Sequence, residues 1–349
     1  MDSQVYRYYC RQLAELYERQ LLRSSAAESV LAFRSLHKSN IHFAKQAFDA
    51  VRGMGDCVAL AYDIEDFFGS IDHGRLKCAW TSLLGTDRLP KDHYAVYRSL
   101  TNFSYVHRRD AYKALGISLN NTPRRLSRLC SPAQFRSSIR GGGLIQRNEL
   151  KKGIPQGSPL SAFLSNLYLF DFDRTLSVKL SATGGLYLRY CDDILILVKP
   201  ELETEIRGLT ERLILAEKLV CNSTKTQVSR FRKNHLGQFS DRPLQYLGFT
   251  FDGKQTLLRS AALARNSSRV RRAVKRAKAT MKKRNSVRSH LGQKEKPLFK
   301  KKLYESHSHF GRRNFVRYGY RAARILESED IKRQLKPLLG RLQRLIDEP

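Results

Sequence analysis

Two apolar runs meet at a pair of acids in the segment LYLRYCDDILILV, residues 186–198. Each run has the length of a short β-strand, and Asp192 and Asp193 stand between the runs, where turn residues are favoured. A connection this short joins antiparallel neighbours. The segment therefore predicts a β-hairpin with two carboxylates at its turn, and the rest of the chain must supply the sheet that this hairpin joins.

The segments around the hairpin alternate between strand and helix patterns. We expect strands over residues 57–63 (CVALAYD), near 225–231, and over 244–259 with a turn at Asp252-Gly253. We expect helices around 74–84, from Ser158 onward and over 201–219. This order favours an α+β layer in which helices cover one face of an antiparallel sheet.

The two ends of the chain show helical spacing. Residues 1–55 are predicted to be helical, with Ser39-Asn40 capping the helix that begins at Ile41. Leucines and an isoleucine over 335–346 mark a last amphipathic helix that needs a surface to pack on. Residues 101–152, rich in Arg, Ser, Asn and Gly, predict irregular basic structure.

The charge of the chain is unusual. It holds 64 Lys and Arg against 32 Asp and Glu, a net charge of +32. A polyanionic partner is the natural explanation, the alternative being a basic protein that is merely soluble or associated with ribosomes. Residues 265–302 alone contain sixteen Lys or Arg against Glu295, which predicts a helical nucleic-acid-binding element, with a disordered basic tail at 284–297 as the alternative. The candidate contacts are Arg269, Arg271, Arg272, Lys275, Arg276, Lys278, Lys282 and Lys283.

The six cysteines lie far apart and have no spacing that suits a zinc site or a disulfide framework. No stretch approaches the roughly 20 apolar residues that cross a bilayer. We therefore expect no structural metal, no membrane association and a reducing, cytoplasmic setting.

The acids suit nucleotidyl transfer, which uses two divalent ions bound by carboxylate oxygens. Asp63 ends a predicted strand, and Asp192 and Asp193 lie at the turn of a neighbouring hairpin, so the three could meet. The Asp-Asp pair alone is weak evidence, because turns favour aspartate for backbone reasons.

Five segments in order strengthen this interpretation: YDIEDFFGSIDH (62–73), KKGIPQGSPLSAFLSNLYLFDFD (151–173), RYCDDILILV (189–198), NSTKTQV (222–228) and LQYLGFTF (244–251). Together they resemble the successive palm motifs of reverse transcriptases, over about residues 30–260. The resemblance implies a right-hand polymerase with fingers, an RRM-like antiparallel-sheet palm and a helical thumb. It also implies an RNA-directed DNA polymerase that copies RNA with dNTPs into DNA.

Carried over by position, the resemblance makes Asp63 and Asp192 ligands of two Mg²⁺ ions, with Mn²⁺ as a substitute. Asp193 would be a supporting carboxylate, and the backbone carbonyl of Ile64 would complete a coordination sphere. Lys225 matches a lysine near the triphosphate that could act as general acid toward pyrophosphate, although a lysine before a strand is commonly a solvated charge.

Phe68 matches the bulky residue that excludes ribonucleotides, the alternative being an aromatic side chain packed behind a strand. Pro155, Gln156 and Gly157 match the turn where the glutamine packs against the incoming nucleotide.

Two further segments carry positioning roles in the resemblance. FRSLHKSNIHFAKQAF (33–48) resembles a fingers segment, in which Arg34 and Lys38 are candidates for triphosphate contact or ordinary surface charges. The primer grip, which holds the primer end, corresponds to Leu244, Gln245, Tyr246, Leu247 and Gly248. The nearby acids Asp66 and Asp72 suit turn or capping roles.

The expected domains are N-terminal helices and fingers (1–55), a palm (56–260) with a fingers insertion at about 85–150, and a basic helical thumb region (261–349). The length leaves no room for an integrase, an RNase H or a capsid-forming region, which disfavours an ordinary retroviral enzyme. Retron motifs and the Cys/His cluster of an HNH endonuclease are absent.

The fingers segment, the IPQGSPLSAFLSN stretch and GRRNFVRYGYRA look most like defence-associated, antiphage bacterial reverse transcriptases. That resemblance implies a partner non-coding RNA, and an accessory defence protein or self-association. The alternatives are a retron or group II intron-type enzyme, a catalytically silent RNA-binding or maturase-like factor, and an RNA-copying RNA polymerase. The sequence leaves open whether the primer is a 3′-hydroxyl, a 2′-hydroxyl of the RNA or one of 16 tyrosines.

Overall fold

A computed structural model describes residues 2–119 and 128–348 of the chain. The predicted irregular segment 101–152 includes residues 120–127, which lie outside the described residues. The described part of that segment contains short helices, a π-helical turn (Phe135–Arg140) and two short strands. The expectation of irregular structure was therefore too strong, because elements of two to seven residues are too short to show a periodicity in sequence.

The helices run through the whole described chain. They are α1 (Asp2–Leu22), α2 (Asn40–Met54), α3 (Phe67–Ser70), α4 (His73–Leu84), α5 (Lys91–Thr101), α6 (Arg108–Ala114), α7 (Pro132–Gln134), α8 (Pro159–Tyr168), α9 (Phe170–Ala182), α10 (Glu203–Ala216), α11 (Ser260–His290), α12 (Lys301–His307), α13 (Phe315–Ile325), α14 (Glu329–Leu335) and α15 (Pro337–Asp347). None of these helices combines the length and the hydropathy that a membrane span requires.

Several helices begin where the sequence places capping residues. Ser158 precedes α8 and accepts a hydrogen bond from Ser161 N at 2.9 Å. Asp72 precedes α4 and accepts from Arg75 N at 2.9 Å. These bonds satisfy backbone N–H groups that the first helical turn leaves unpaired, and they confirm the capping role predicted for Asp72.

Within the described residues the strands form three antiparallel sheets. They are β1 (Cys57–Asp63), β2 (Ser104–Tyr105), β3 (Gln146–Arg147), β4 (Leu186–Tyr190), β5 (Asp193–Val198), β6 (Gln227–Asn234), β7 (Gly237–Ser240), β8 (Leu244–Tyr246), β9 (Phe249–Phe251) and β10 (Thr256–Leu258). The main sheet has the order β4-β5-β1-β6-β7, a second has the order β10-β9-β8, and β2 pairs with β3. The antiparallel α+β architecture is the predicted one, although β7 was not predicted.

The hairpin predicted at residues 186–198 is present as β4 and β5, with one correction to its turn. Tyr190 pairs directly with Asp193, so the turn consists of Cys191 and Asp192, and Asp193 is the first residue of β5. Cys191 has φ +62, the left-handed conformation that a tight two-residue hairpin loop demands. The second carboxylate therefore stands on a strand, whose register fixes its neighbours, and not in the turn.

The chain forms two compact units, each made of separated segments. The first contains residues 1–33, 64–176 and 211–221, and the second contains 34–63, 177–210 and 222–349. This grouping follows spatial contacts, and the three-part division made along the sequence stays a prediction.

The first unit is built on helices. Leu13, Tyr17 and Leu21 recur at four-residue spacing on α1 and are buried. Tyr17 meets Phe163 of α8 edge to face, with ring centroids 5.7 Å apart. Trp80 of α4 is fully buried, and its indole N–H donates to His93 Nδ1 at 3.2 Å. Apolar stripes at helical spacing thus make this core, as the sequence pattern indicated.

The second unit holds the main sheet and the C-terminal helices. Phe48 of α2 stacks on Phe251 of β9 at 5.0 Å between ring centroids. The helix α14 closes the edge of β10, since the Gln334 side chain accepts from Leu258 N at 2.8 Å and donates to Leu258 O at 3.2 Å. The last helix, predicted to need a packing surface, joins α11 and α12 in a cluster of Val270, Val274, Leu303, Leu342 and Ile346.

Candidate active site

One end of the main sheet gathers the acids singled out in the sequence. Asp63, the last residue of β1, is the direct antiparallel partner of Asp193, the first residue of β5. Residues directly opposite in such a pair place their side chains on the same face, with Cβ atoms about 5 Å apart. Asp192 precedes Asp193 on the hairpin turn. The register of two strands thus brings carboxylates together that lie about 130 residues apart in sequence.

This arrangement crowds negative charge. Burial, followed by the charges of Asp192 and Asp63, raises the pKa of Asp193 to about 6, against the opposing effect of Lys225 and Arg259. Like charges on directly opposed strand positions are destabilising unless a cation compensates them. The cluster is therefore a place where additional positive charge binds favourably.

Lys225 also lies at this cluster, and its predicted role toward the triphosphate stays a prediction. Its Nζ donates to Asp63 Oδ1 at 2.8 Å, and that bond raises the pKa of the lysine, which stays protonated at neutral pH. The turn that carries it is fixed to the end of β1, because Asn222 N donates to Asp63 O at 2.8 Å and Lys225 N donates to Asn222 O at 3.0 Å. The side chain is 59% exposed, so Lys225 is free to meet a ligand from solvent.

The carboxylates fit a divalent cation by donor chemistry. Hard oxygen ligands from two or three carboxylates, completed by water and substrate phosphates, are what Mg²⁺ prefers. Among residues 2–119 and 128–348, however, no group of three His, Cys, Asp or Glu side chains is arranged as a complete metal centre.

A cavity of about 340 Å³ lies beside Asp193. Its wall includes Tyr190, Arg259 and residues 245–249, which contain most of the predicted primer grip. The turn between β8 and β9 has Leu247 at φ +47 and Gly248 at φ +93. A leucine in this left-handed region is strained, and such strain persists only where neighbouring groups hold it.

Asn40, the first residue of α2, holds this turn. Its Nδ2 donates to Leu247 O at 3.1 Å and to Tyr318 Oη at 2.9 Å. Tyr318, on α13, also stacks on Phe249 with ring centroids 6.4 Å apart. Arg259 N donates to Gly248 O at 3.1 Å, which fixes the other side of the turn. The predicted primer grip is thus anchored by residues from both ends of the chain.

Sequence reasoning assigned Asn40 only to a helix cap and gave Tyr318 and Arg259 no role at this site. Asn40 contacts residues 207 and 278 positions away. No local pattern marks such a contact. The only available signal was a polar side chain at the start of a helix, which capping already explained.

Phe68 and the Pro155–Gly157 turn lie in the first unit, where the structure brings their backbones close. Ile154 N donates to Phe68 O at 2.9 Å, and Gly153 N donates to Ile71 O at 2.8 Å. Gly153 has φ +89, and a Cβ there would stand 3.1 Å from Gly69 O, so only glycine permits this approach. Phe68 is half-buried and Gln156 is exposed.

The remaining predicted residues occupy simpler positions. Ile64 forms an isolated antiparallel bridge with Cys221 within the first unit. On the segment before α2, in the second unit, Arg34 is half-buried and Lys38 is exposed. Asp66 precedes α3 with φ +42, which confirms the turn role predicted for it.

The basic residues of α11 are exposed except for Lys278, which is half-buried. At 3.6 residues per turn they form two adjacent stripes. The first contains Arg271, Lys275, Lys278 and Lys282, and the second contains Arg269, Arg272, Arg276 and Lys283. The helix confirms the predicted helical element, and it continues to His290, which leaves only the last part of the alternative disordered tail outside it.

One end of the antiparallel main sheet carries three acids, with a lysine bonded to the first of them, and this donor set suits the two-metal chemistry of nucleotidyl transfer. In agreement, residues 3–251 match the family model described as reverse transcriptase (RNA-dependent DNA polymerase). The match covers more than two thirds of the sequence, and the chain therefore belongs to the reverse transcriptase family. Membership confirms the predicted right-hand polymerase fold and the predicted enzyme class, whose catalytic domains use divalent metal ions.

Solved structures with similarity to the chain include telomerases from Candida tropicalis and Candida albicans. Apo telomerase from Candida tropicalis, truncated from its C-terminal domain, is 12% identical over 72% of this chain and 45% of that one, with a TM-score of 0.41. Apo telomerase from Candida tropicalis is 14% identical over 70% of this chain and 39% of that one, with a TM-score of 0.44. Telomerase from Candida albicans in complex with the TWJ fragment of telomeric RNA is 14% identical over 74% of this chain and 38% of that one, with a TM-score of 0.43.

The chain thus spans less than half the length of these three structures. A comparison with curated protein sequences finds no significant match.

Proposed function

We propose that the chain is an RNA-directed DNA polymerase that adds dNTPs to a primer at the end of its main sheet. The observation that carries the proposal is the direct pairing of Asp63 with Asp193, beside Asp192 and with Lys225 bonded to Asp63. A carboxylate cluster of this kind beside a protonated lysine suits a reaction in which a triphosphate is bound and pyrophosphate leaves.

In this proposal Asp63 and Asp192 are the principal ligands of two Mg²⁺ ions, with Asp193 and the Ile64 carbonyl in support and Mn²⁺ as a substitute. The bound ions would lower the pKa of the attacking hydroxyl and neutralise the triphosphate. Lys225 gives the developing pyrophosphate a cation and a proton donor, and its raised pKa keeps it charged until the leaving group forms. Asp63 positions that lysine through their 2.8 Å hydrogen bond.

Selection of the substrate is assigned to residues whose placement is supported by their local geometry. Phe68 is the proposed barrier to a ribose 2′-hydroxyl, and its backbone is fixed to the segment before Pro155 by the Ile154 hydrogen bond. Gln156 and Gly157 are proposed to contact the incoming nucleotide, since the former is exposed and the latter has φ +107, which keeps its backbone open to close approach. Arg34 and Lys38 are proposed triphosphate contacts.

Binding of the nucleic acid is assigned to two surfaces. The cavity beside Asp193 is the proposed place of the primer end, because residues 245–248 of the predicted primer grip and Asp193 both line its wall. The two basic stripes of α11 are the proposed phosphate contacts, since exposed lysines and arginines release counterions when they neutralise phosphates.

The proposed biological role is antiphage defence in a bacterial cytoplasm, with a cognate non-coding RNA as template and an accessory protein or a second copy of the chain as partner. It rests on the resemblance of the fingers segment and of GRRNFVRYGYRA to defence-associated enzymes, and on the net charge of +32, which suits a nucleic-acid partner. Residues 315–322 of that second motif lie in α13, which carries Tyr318 to the turn between β8 and β9.

Primer extension tests the reaction. Wild-type protein, Asp192→Asn and the matched control Asp87→Asn, an exposed acid outside the cluster, are each given a primed RNA template with Mg²⁺ and either dNTPs or rNTPs. We expect DNA synthesis by wild type and control, and none by Asp192→Asn. Equal extension by Asp192→Asn would contradict the assignment of the aspartates, and extension with rNTPs alone would favour an RNA polymerase.

The role is tested separately. Nucleic acid that copurifies with the protein is sequenced, and we expect one abundant cellular RNA whose complement appears as DNA in cells. A broad mixture of RNA without complementary DNA would contradict the proposal of a cognate template while leaving the polymerase reaction intact.

A further inference from the structure

A second cavity, of about 300 Å³, lies among the C-terminal helices of the second unit. Its wall is formed mainly by α11 and α15, together with His307 of α12. The apolar part comes from Val270, Leu338, Leu342 and Leu345. The volume lies at the lower end of the roughly 300–1,000 Å³ typical of small-molecule sites, so one nucleotide-sized group would fill it.

Asn266 is the unusual residue in this wall. It is only 6% exposed, and among the described residues its side-chain amide has no hydrogen-bond partner. The amide nitrogen and oxygen are not sealed inside the protein but open to the cavity, where a bound group can pair with them. A ligand with an adjacent donor and acceptor would satisfy both the amide N–H and the amide oxygen.

The mouth of the cavity is positively charged. Arg271, Arg341 and Arg344 are exposed in its wall, and none of them forms an ion pair within the described part of the chain. Glu348 is the single acid in the wall. Three guanidinium groups in this arrangement suit a phosphate, which arginine binds through paired hydrogen bonds.

The two halves of the cavity together restrict the ligand. An apolar molecule would leave Asn266 and the arginines without partners, and inorganic phosphate would leave the apolar slot empty. A planar base with hydrogen-bonding edge groups, joined to a phosphate, matches both. Asparagine pairs best with adenine, which offers a donor and an acceptor side by side.

We propose that this cavity binds an adenine nucleotide, with the base against Val270 and Leu342, its edge on Asn266 and its phosphate on Arg341 and Arg344. The nucleotide is either free or one residue extruded from an RNA strand, and its chemistry is the same. The inference goes beyond the polymerase reaction, since it uses none of the aspartates.

An adjoining groove favours the RNA source. It shares Arg271, Leu345 and Glu348 with the cavity and continues along α11 past Lys275, Lys278 and Lys282. Lysines at this spacing track a phosphate backbone, and an extruded base in an apolar pocket is a common way to hold a single strand. Burial also lowers the pKa of His307, so this half-buried ring is neutral at pH 7 and can contact a base.

Binding is measured on the full chain by calorimetry with AMP, UMP, adenosine and inorganic phosphate. We expect AMP to bind more tightly than each of the others. Asn266→Leu should weaken AMP binding by at least about fivefold, the low end of the value of a paired asparagine–adenine contact. The double variant Arg341→Gln/Arg344→Gln should abolish the difference between AMP and adenosine. Ser268→Ala, an exposed position on the same helix outside the cavity, is the matched control.

Thermal unfolding separates a ligand role from a structural one. Because the Asn266 amide has no partner within the described residues, replacing it by apolar leucine should leave the melting temperature equal or higher. A lower melting temperature of Asn266→Leu, with unchanged AMP affinity, would overturn the proposal and assign the residue to packing.

The RNA arm uses a short oligoribonucleotide with one photoreactive 8-azidoadenosine. A crosslink to the cavity wall that is lost in Asn266→Leu, without binding of free AMP, supports the extruded nucleotide as the source. Binding of AMP with no crosslink supports a free nucleotide. Absence of both overturns the proposal, and because neither readout requires DNA synthesis, it leaves the polymerase reaction untouched.

Discussion

Replacing Asn40 by alanine should damage use of the primer more than use of the nucleotide. The Asn40 side chain donates two hydrogen bonds, to Leu247 O and to Tyr318 Oη. Each is worth about 0.5–1.5 kcal/mol, and together they offset the cost of holding Leu247 at φ +47, which is of order 1–3 kcal/mol. Without them the turn should leave its strained conformation.

The expected loss follows from these magnitudes. Two bonds of about 1 kcal/mol each amount to roughly 30-fold, which should appear in kcat/KM for the primer. The KM for dNTP should change little, because Asn40 contacts the primer-grip turn and not the carboxylates. Steady-state primer extension, with primer and dNTP varied in turn, measures both.

Two variants sharpen this measurement. Tyr318→Phe removes one of the two bonds, so we expect a loss of about fivefold, and the double variant should be no worse than Asn40→Ala because both act through one turn. Asn102→Ala, an exposed asparagine in the other unit, is the matched control. If Asn40→Ala kept kcat/KM for primer within about twofold of wild type, the turn would not depend on this clamp.

Three further predictions concern substrate choice, the proton donor and the nucleic acid. Phe68→Ala should admit rNTPs, whereas Phe67→Ala, at the buried neighbouring position, should lower stability instead. If competition assays showed unchanged sugar selectivity for Phe68→Ala, Phe68 would not be the barrier to the ribose 2′-hydroxyl. Lys225→Gln should lower kcat about 100-fold or more, as loss of a general acid does. The melting temperature should change little, since the lysine is mostly exposed. A kcat near that of wild type would show that Lys225 is an ordinary surface charge. Neutralising Lys275, Lys278 and Lys282 to Gln should reduce the salt slope of single-stranded RNA affinity by about 2, and an unchanged slope would assign this stripe to another partner.

The sequence predicted the local elements well because each carries its own pattern. β1 is an apolar run that ends in an acid, and α8 begins after a serine cap. The apolar stripe of α15 predicted a helix packed on another surface, and Val270 and Val274 of α11 provide that surface. Periodicity and capping act between residues a few positions apart, so they can be read along the chain.

The prediction fell short where a feature depends on the register between two strands or on a contact between residues far apart in sequence. The register of Tyr190 with Asp193 moved one carboxylate from the turn to a strand. The clamp by Asn40 joins residues more than 200 positions apart, and sequence alone could read that residue only as a cap.

The ordered motifs by themselves therefore determined the family and the candidate acids, since their chemistry lies in residue type and spacing. Tertiary structure decided which groups meet: Asp63 lies opposite Asp193, Lys225 bonds to Asp63, and Asn266 lines a cavity beside three arginines with no side-chain partner among residues 2–119 and 128–348. The physical reason is that strand register and helix packing set distances that no local pattern encodes, while burial and neighbouring charge, which set the pKa of Asp193, arise only after the chain has folded.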